Sequence, residues 1–182
     1  IEIENENSGF TPSPAWKEKT YGEPWRIGDT YNTSIGQYAM QITPLEAVRA
    51  VAAVANGGKL LRPTLVKDAP IQGESIAISP ESLKIAREGM RLGVTEGTSI
   101  GLNPLSYVKA AGKTGTAQLG VHNEYYNSWA VGFFPYDKPK YAYVVVMERG
   151  PAGNPTGGIY VMSQVFSKLR YSAPEYFGLS AE

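Results

Sequence analysis

Apolar positions recur along the chain with two periods, and the change from one to the other separates helices from strands. Leu45, Val48, Val51, Ala52 and Ala55 fall on one face at helical spacing. Thr43 can cap that run, Pro44 suits the first helical position, Glu46 completes a Thr-x-x-Glu box, and Gly57 and Gly58 follow Asn56. These signals predict a helix over 44–56, whose many alanines imply close packing as scaffold. Ser79-Pro80-Glu81 repeats the cap-then-proline signature, with Leu83, Ala86 and Met90 on one side and Gly93 as a stop. A second helix over about 80–92 follows. Ile159, Met162, Val165, Phe166 and Leu169 return to helical spacing and predict a C-terminal helix lying across a sheet. Between these lie three β-rich runs, at about 108–118, 128–135 and 141–148, the last two joined by a charged, proline-containing hairpin loop. The third run is apolar on both faces, as in a central strand covered on each side. The order helix, helix, strand, strand, strand, helix predicts an α+β fold, an antiparallel sheet with helices on both faces.

The remaining stretches carry turn chemistry. Residues 1–35 are rich in Pro, Gly, Asn and Tyr and read as an irregular approach with a brief strand at the start. Pro12, Pro14 and Pro24 forbid a long helix there, and Trp16, Tyr21 and Trp25 read as covers for the core edge. Residues 58–66 read as a turn and a short extended segment broken at Pro63. The 93–103 loop is long enough to suggest a place near a site. Residues 119–127 form a polar loop, 150–158 a Gly/Pro loop, and the stretch from Pro174 a mobile tail.

Composition narrows the function classes. With 42% apolar and 19% charged residues in 182, the chain is an ordinary globular one, long enough for a single domain with a core. Seventeen basic and seventeen acidic residues cancel, so no net field steers it to nucleic acid or an anionic bilayer. It has no cysteine, which removes thiol nucleophiles and thiolate metal sites. It starts at Ile1 with no basic n-region or apolar run, so it reads as a piece of something longer, without signal peptide or anchor.

Candidate chemistry concentrates at 110–118, Ala-Ala-Gly-Lys-Thr-Gly-Thr-Ala-Gln. As a strand, this places Lys113 and Gly115 on one side and Thr114 and Thr116 on the other. Gly115 suits an edge along which a peptide-like ligand adds itself to the sheet. The competing reading is a small-residue strand packed under something, with its lysine solvated. A phosphate-binding G-x-x-x-x-G-K-[ST] loop is rejected, because its first glycine falls on Tyr107. His122, the single histidine, has no nearby aspartate to orient it and reads as solvated. One histidine without cysteine builds no metal site.

Lys113-Thr114-Gly115-Thr116 followed by Ala117-Gln118 resembles the K-T-G motif of penicillin-binding proteins and serine β-lactamases. Gly28-Asp29-Thr30, Ile35-Gly36-Gln37, Ile42-Thr43-Pro44-Leu45 and Gly132-Phe133-Phe134-Pro135 fall in the order that class B transpeptidases show. Trp25-Arg26-Ile27 and Ser8-Gly9-Phe10-Thr11-Pro12 with Trp16 are most similar to the elongation-type class B penicillin-binding proteins. The resemblance spans nearly the whole chain. It implies the C-terminal portion of a penicillin-binding protein/serine β-lactamase-like transpeptidase fold, residues 1–173 being part of one domain and 174–182 the tail. Family members carry S-x-x-K and S-x-N motifs upstream of K-T-G, and neither stands where it should here. Ser106-Tyr107-Val108-Lys109 matches S-x-x-K in letters, but on a strand close to Lys113, so it reads as coincidence.

By that resemblance, Lys113 would aid proton traffic at the absent nucleophile. Thr114 and Thr116 would bind the substrate carboxylate along the edge opened by Gly115, and the Thr116 amide would complete the oxyanion hole. A twist or bulge is then needed to bring the lysine and both hydroxyls to one cleft. The implied activity is D,D-transpeptidation of peptidoglycan stem peptides ending in D-Ala-D-Ala, with β-lactams as inhibitors and no cofactor. The implied partners are the missing N-terminal half of the domain and the glycosyltransferase and scaffold proteins of the elongation machinery. The implied setting is the periplasmic face of the cytoplasmic membrane, with the anchor on a segment outside this chain. Two other readings stay open: a non-catalytic substrate-binding or scaffold module, and a β-lactamase or β-lactam sensor.

Overall fold

Caps decide where the helices begin. The computed structural model describes residues 7–120, 122–152 and 157–180. Ser13 accepts the Trp16 N–H and starts α1 (Pro14–Tyr21), and Gly22, with φ of 66°, ends it. The main-chain N–H of Arg26 donates to Asp29 at the head of α2 (Ile27–Ser34). Both helices lie in the stretch expected to be irregular. Proline barred a long helix but suits the first position of a short one. The strand expected at the start falls largely outside the described residues, and among the described ones Phe10 forms an isolated bridge to Gln41.

The helix α3 (Pro44–Ala55) carries the expected Thr43–Glu46 box. Glu46 also accepts the Gly9 N–H at 2.9 Å. The amides of Thr43 and then Gly9 hold its carboxyl below the usual range. A hairpin of β1 (Lys59–Leu61) and β2 (Gly73–Ser75) follows, and its second strand is too polar to announce itself in sequence. The next helix, α4 (Pro80–Thr95), runs through Gly93. That glycine is a packing site and not a stop, because a Cβ there would lie 2.7 Å from the Gly112 carbonyl oxygen.

Three strands form the main antiparallel sheet in the order β3 (Ala111–Leu119), β4 (Tyr125–Phe134), β5 (Tyr141–Pro151). The strand β4 is central, whereas β5 was expected to be. The two apolar faces of β5 reflect cover from both layers, not strands on both sides. Neighbouring residues show those layers: Phe133 packs with Ala55 of α3 and Met90 of α4, while Phe134 packs with Phe166 of α5 (Gly158–Ser172), their rings 4.7 Å apart. Successive side chains on a strand take opposite faces, so helices cover both. The α+β expectation is the fold found.

One row of residues crosses all three strands. Gly112 pairs with Gly132, and Gly132 with Tyr143. The Tyr143 hydroxyl passes these glycines to donate to the Ala111 carbonyl at 3.1 Å, and burial pushes its pKa up. Beyond α5, the expected tail is instead anchored through Phe177. A 3-10 turn at Pro174–Phe177 sets that ring 5.0 Å from Tyr107 and 5.6 Å from both Phe134 and Phe166. A single apolar anchor leaves no periodic trace in sequence.

Candidate active site

The K-T-G strand borders the sheet. Its ladder to β4 is unbroken from Ala111–Phe133 to Leu119–Tyr125, so of the twist or bulge expected in β3 the bulge against β4 is absent. The only register shift between these strands and their neighbours falls between Tyr126 and Ser128, opposite β5. Alternation therefore holds: Thr114 and Thr116 pair with Ala130 and Ser128, on the face opposite to Lys113 and Gly115. The lysine turns back onto the main chain of its own strand. Its ammonium donates to the Thr114 carbonyl at 2.6 Å.

Main-chain geometry defines what the edge offers. The Thr114 carbonyl accepts from Lys113 and the Thr116 carbonyl from Gln37 Nε2, at 3.1 Å. Those groups thus face away from β4, and in an extended strand the N–H of the same residue points the same way. The edge presents the N–H and C=O of Thr114 and Thr116 outward, with the two hydroxyls on one side. Thr98 and Thr114 share a hydroxyl–hydroxyl hydrogen bond of 2.6 Å, so the long loop after α4 does reach this strand. Beside it, Ser99 is wholly buried, its hydroxyl without a protein partner. Gly115 has a reason the sequence did not show: a Cβ would sit 3.3 Å from Trp129 Cβ across the ladder.

Sequence reasoning missed Gln37 as a site residue, although it stands within the Ile-Gly-Gln stretch. Its position follows from the end of α2. Gly36, at φ of 77°, donates to Thr33 and Gln37 donates to Asn32. This is a Schellman turn, which aims the Gln37 side chain along β3. The helix itself is held by a part-buried pair: Lys17 of α1, 5% exposed, meets Asp29 at 2.6 Å. The Lys17 hydrogen bond, then the Arg26 N–H, holds the Asp29 carboxyl below the usual range. Trp16 and Trp25 both pack edge-on against Tyr38, just after the turn.

Other candidates lie apart. His122 is exposed in a turn, its main-chain N–H on Glu124. Lys109 pairs with Asp137 at 3.3 Å, and Ser106 sits exposed in a turn with its N–H on Pro104, so the S-x-x-K letters form no nucleophile pair. Among the described residues no three His, Asp or Glu side chains gather to hold a metal. A hollow of about 630 Å³ lies between α3 and the β1–β2 hairpin, lined by Glu46, Arg49, Leu60 and Gln72, away from Lys113. No helix among the described residues is long and apolar enough to cross a membrane.

An α+β sheet that carries Lys-Thr-Gly on its border strand fits the transpeptidase class, and the chain belongs to the penicillin binding protein transpeptidase domain family, whose model matches residues 1–169. Within that family its similarity is to penicillin-binding protein 2. The peptidoglycan D,D-transpeptidase MrdA of Acinetobacter baumannii is 33% identical over 177 residues, covering 84% of this chain and 26% of the relative. The structure of penicillin-binding protein 2 from Helicobacter pylori superposes with a TM-score of 0.79 at 30% identity, over 97% of this chain and 32% of that one. The same protein in complex with MreC gives 0.77 at 29% identity, over 94% and 32%. The chain thus spans about a quarter to a third of the length of these relatives.

Proposed function

We propose that this chain is the C-terminal part of the transpeptidase domain of an elongation-type D,D-transpeptidase, residues 1–173 forming one wall of its cleft. The observation that carries the reading is the outward main-chain edge at Thr114 and Thr116, with the Lys113 ammonium folded onto it. A stem peptide ending in D-Ala-D-Ala adds to that edge as a short strand. A serine from an upstream part of the protein attacks the carbonyl of the penultimate D-alanine. The amide C–N bond breaks and D-alanine leaves with a proton. An amine of a neighbouring stem then displaces the serine from the ester and completes the crosslink.

In this scheme the Thr116 N–H faces the developing oxyanion, a contact worth about 2.7–4 kcal/mol to the transition state. The hydroxyls of Thr114 and Thr116 receive the terminal carboxylate, and Lys113 moves a proton at the nucleophile. β-Lactams take the same place and stop at the ester. No step calls for a cofactor. The upstream half of the domain, a membrane anchor that holds it on the periplasmic side, and an MreC-like scaffold with a glycosyltransferase complete the setting. The test is the intact mass of the complete protein after exposure to a penicillin, beside this 182-residue chain. The reading expects an adduct on the complete protein alone. An adduct on neither would make the domain a non-catalytic module, and one on the fragment would restore Ser106 as a nucleophile.

A further inference from the structure

We propose that Gln37 is a specificity-determining residue for the acyl donor: its carboxamide occupies the Thr116 carbonyl, and a ligand chain that pairs with β3 at that carbonyl must share the acceptor with it or displace it. The inference rests on the transpeptidase reading above, and three observations carry it further. The Gln37 Nε2 to Thr116 oxygen bond is 3.1 Å and joins residues 79 apart in sequence. The turn that bears Gln37 does not depend on this bond, because its main-chain N–H is already fixed on Asn32 and that of Gly36 on Thr33. The occupied acceptor belongs to a residue whose main-chain groups face away from β4, so it is one that an added strand would use.

The consequence is a competition between two donors for one acceptor. An acyl donor whose N–H reaches Thr116 exchanges a bond to water for a bond to a carbonyl that Gln37 already holds, and gains less than it would at a free carbonyl. A ligand without an N–H at that place leaves Gln37 seated. Gln37 therefore discriminates between ligands by the donor they present beside the scissile bond, and it does so without touching the reacting atoms.

The experiment measures second-order acylation rate constants of the complete protein for two drugs. Benzylpenicillin has a side-chain amide N–H beside its β-lactam ring, and a carbapenem has none. Gln37→Met keeps the stem length and the turn while removing the donor. The ratio of the penicillin to the carbapenem constant is expected to rise about threefold to tenfold, the factor of one neutral hydrogen bond. Gln37→Asn, too short by one methylene to hold the carbonyl, is expected to raise the same ratio, which guards against a fault of folding peculiar to methionine. An unaltered ratio in both variants, even with both constants lowered, would make Gln37 a brace and overturn the inference, and so would a fall. Failure of both drugs to acylate the unmodified protein would instead remove the transpeptidase reading, and this inference with it.

Discussion

At Gly132 the absence of a methyl group sets how closely three strands lie. A Cβ there would collide with the Ala111 carbonyl oxygen and the Tyr143 hydroxyl, and neither a main-chain atom nor a buried ring can yield cheaply. Gly132→Ala is expected to cost about 1–3 kcal/mol, as overpacking does, read as a lower thermal midpoint. Tyr143→Phe in the same chain should recover part of that loss, and an unmoved midpoint in Gly132→Ala would refute the packing argument. Lys113 is a different kind of residue, exposed and bonded only to the carbonyl beside it. Lys113→Ala should leave the midpoint in place yet slow acylation of the complete protein by roughly 10²–10⁴, the span of general acid–base contributions. Equal acylation rates would remove it from the chemistry. The Lys-Thr-Gly-Thr stretch and the strand that carries it were legible because the motif is contiguous. Gln37 and Thr98 were not, since their bonds to β3 span 79 and 16 positions and no local pattern encodes a partner that far away.

Among the elements, α2 is held at its head by a carboxylate, and α3 is capped by one. Asp29 and Glu46 both have pKa values depressed in the folded state, by Lys17 with the Arg26 amide and by the Thr43 and Gly9 amides respectively. A depressed carboxyl contributes stability that is present above its unfolded pKa and lost as pH falls through the folded one. The thermal midpoint should therefore hold from neutral pH down to about 4, where free carboxyls titrate, and fall below it. Asp29→Asn should lower the midpoint at pH 7 and flatten part of that acid limb. An identical limb in the variant would show the Lys17–Asp29 pair to be without effect. The cap of α3 was legible because Thr43, Pro44 and Glu46 stand in line. The end of α4 was misread because Gly93 looks like a stop, whereas its lack of a side chain serves the contact with Gly112. Ser13-Pro14 carried the same cap-then-proline signal as Ser79-Pro80, but α1 has only 8 residues, too few for an apolar face to emerge. β4 begins at Tyr125, ahead of the expected start at Ser128, and the polar Asn127 hid its first residues.

For the molecule as a whole, the sheet ends on either side in a strand with one partner. On β3 the open side is the edge proposed to take the ligand. On β5 it is 11 residues long, with Val144, Val145 and Val146 at its middle. A long apolar edge pairs readily with another chain, so the 182-residue chain by itself is expected to self-associate, with a sedimentation coefficient that rises with concentration. A monodisperse monomer that unfolds cooperatively would contradict this. The tyrosine that crosses the sheet bears on the ligand edge in another way. Sliding β3 along β4 by two residues keeps every side chain on its own face, and hydrophobic pattern alone tolerates it. Such a slide would bring Ala110 or Thr114 opposite Gly132 in place of Gly112, and either Cβ would close the gap through which the phenol passes. Two glycines and a hydroxyl thus act as an index mark, one position before Lys113. They fix where along the border the lysine and the threonines stand, so the alignment of the proposed site is decided beneath the sheet, out of reach of any ligand.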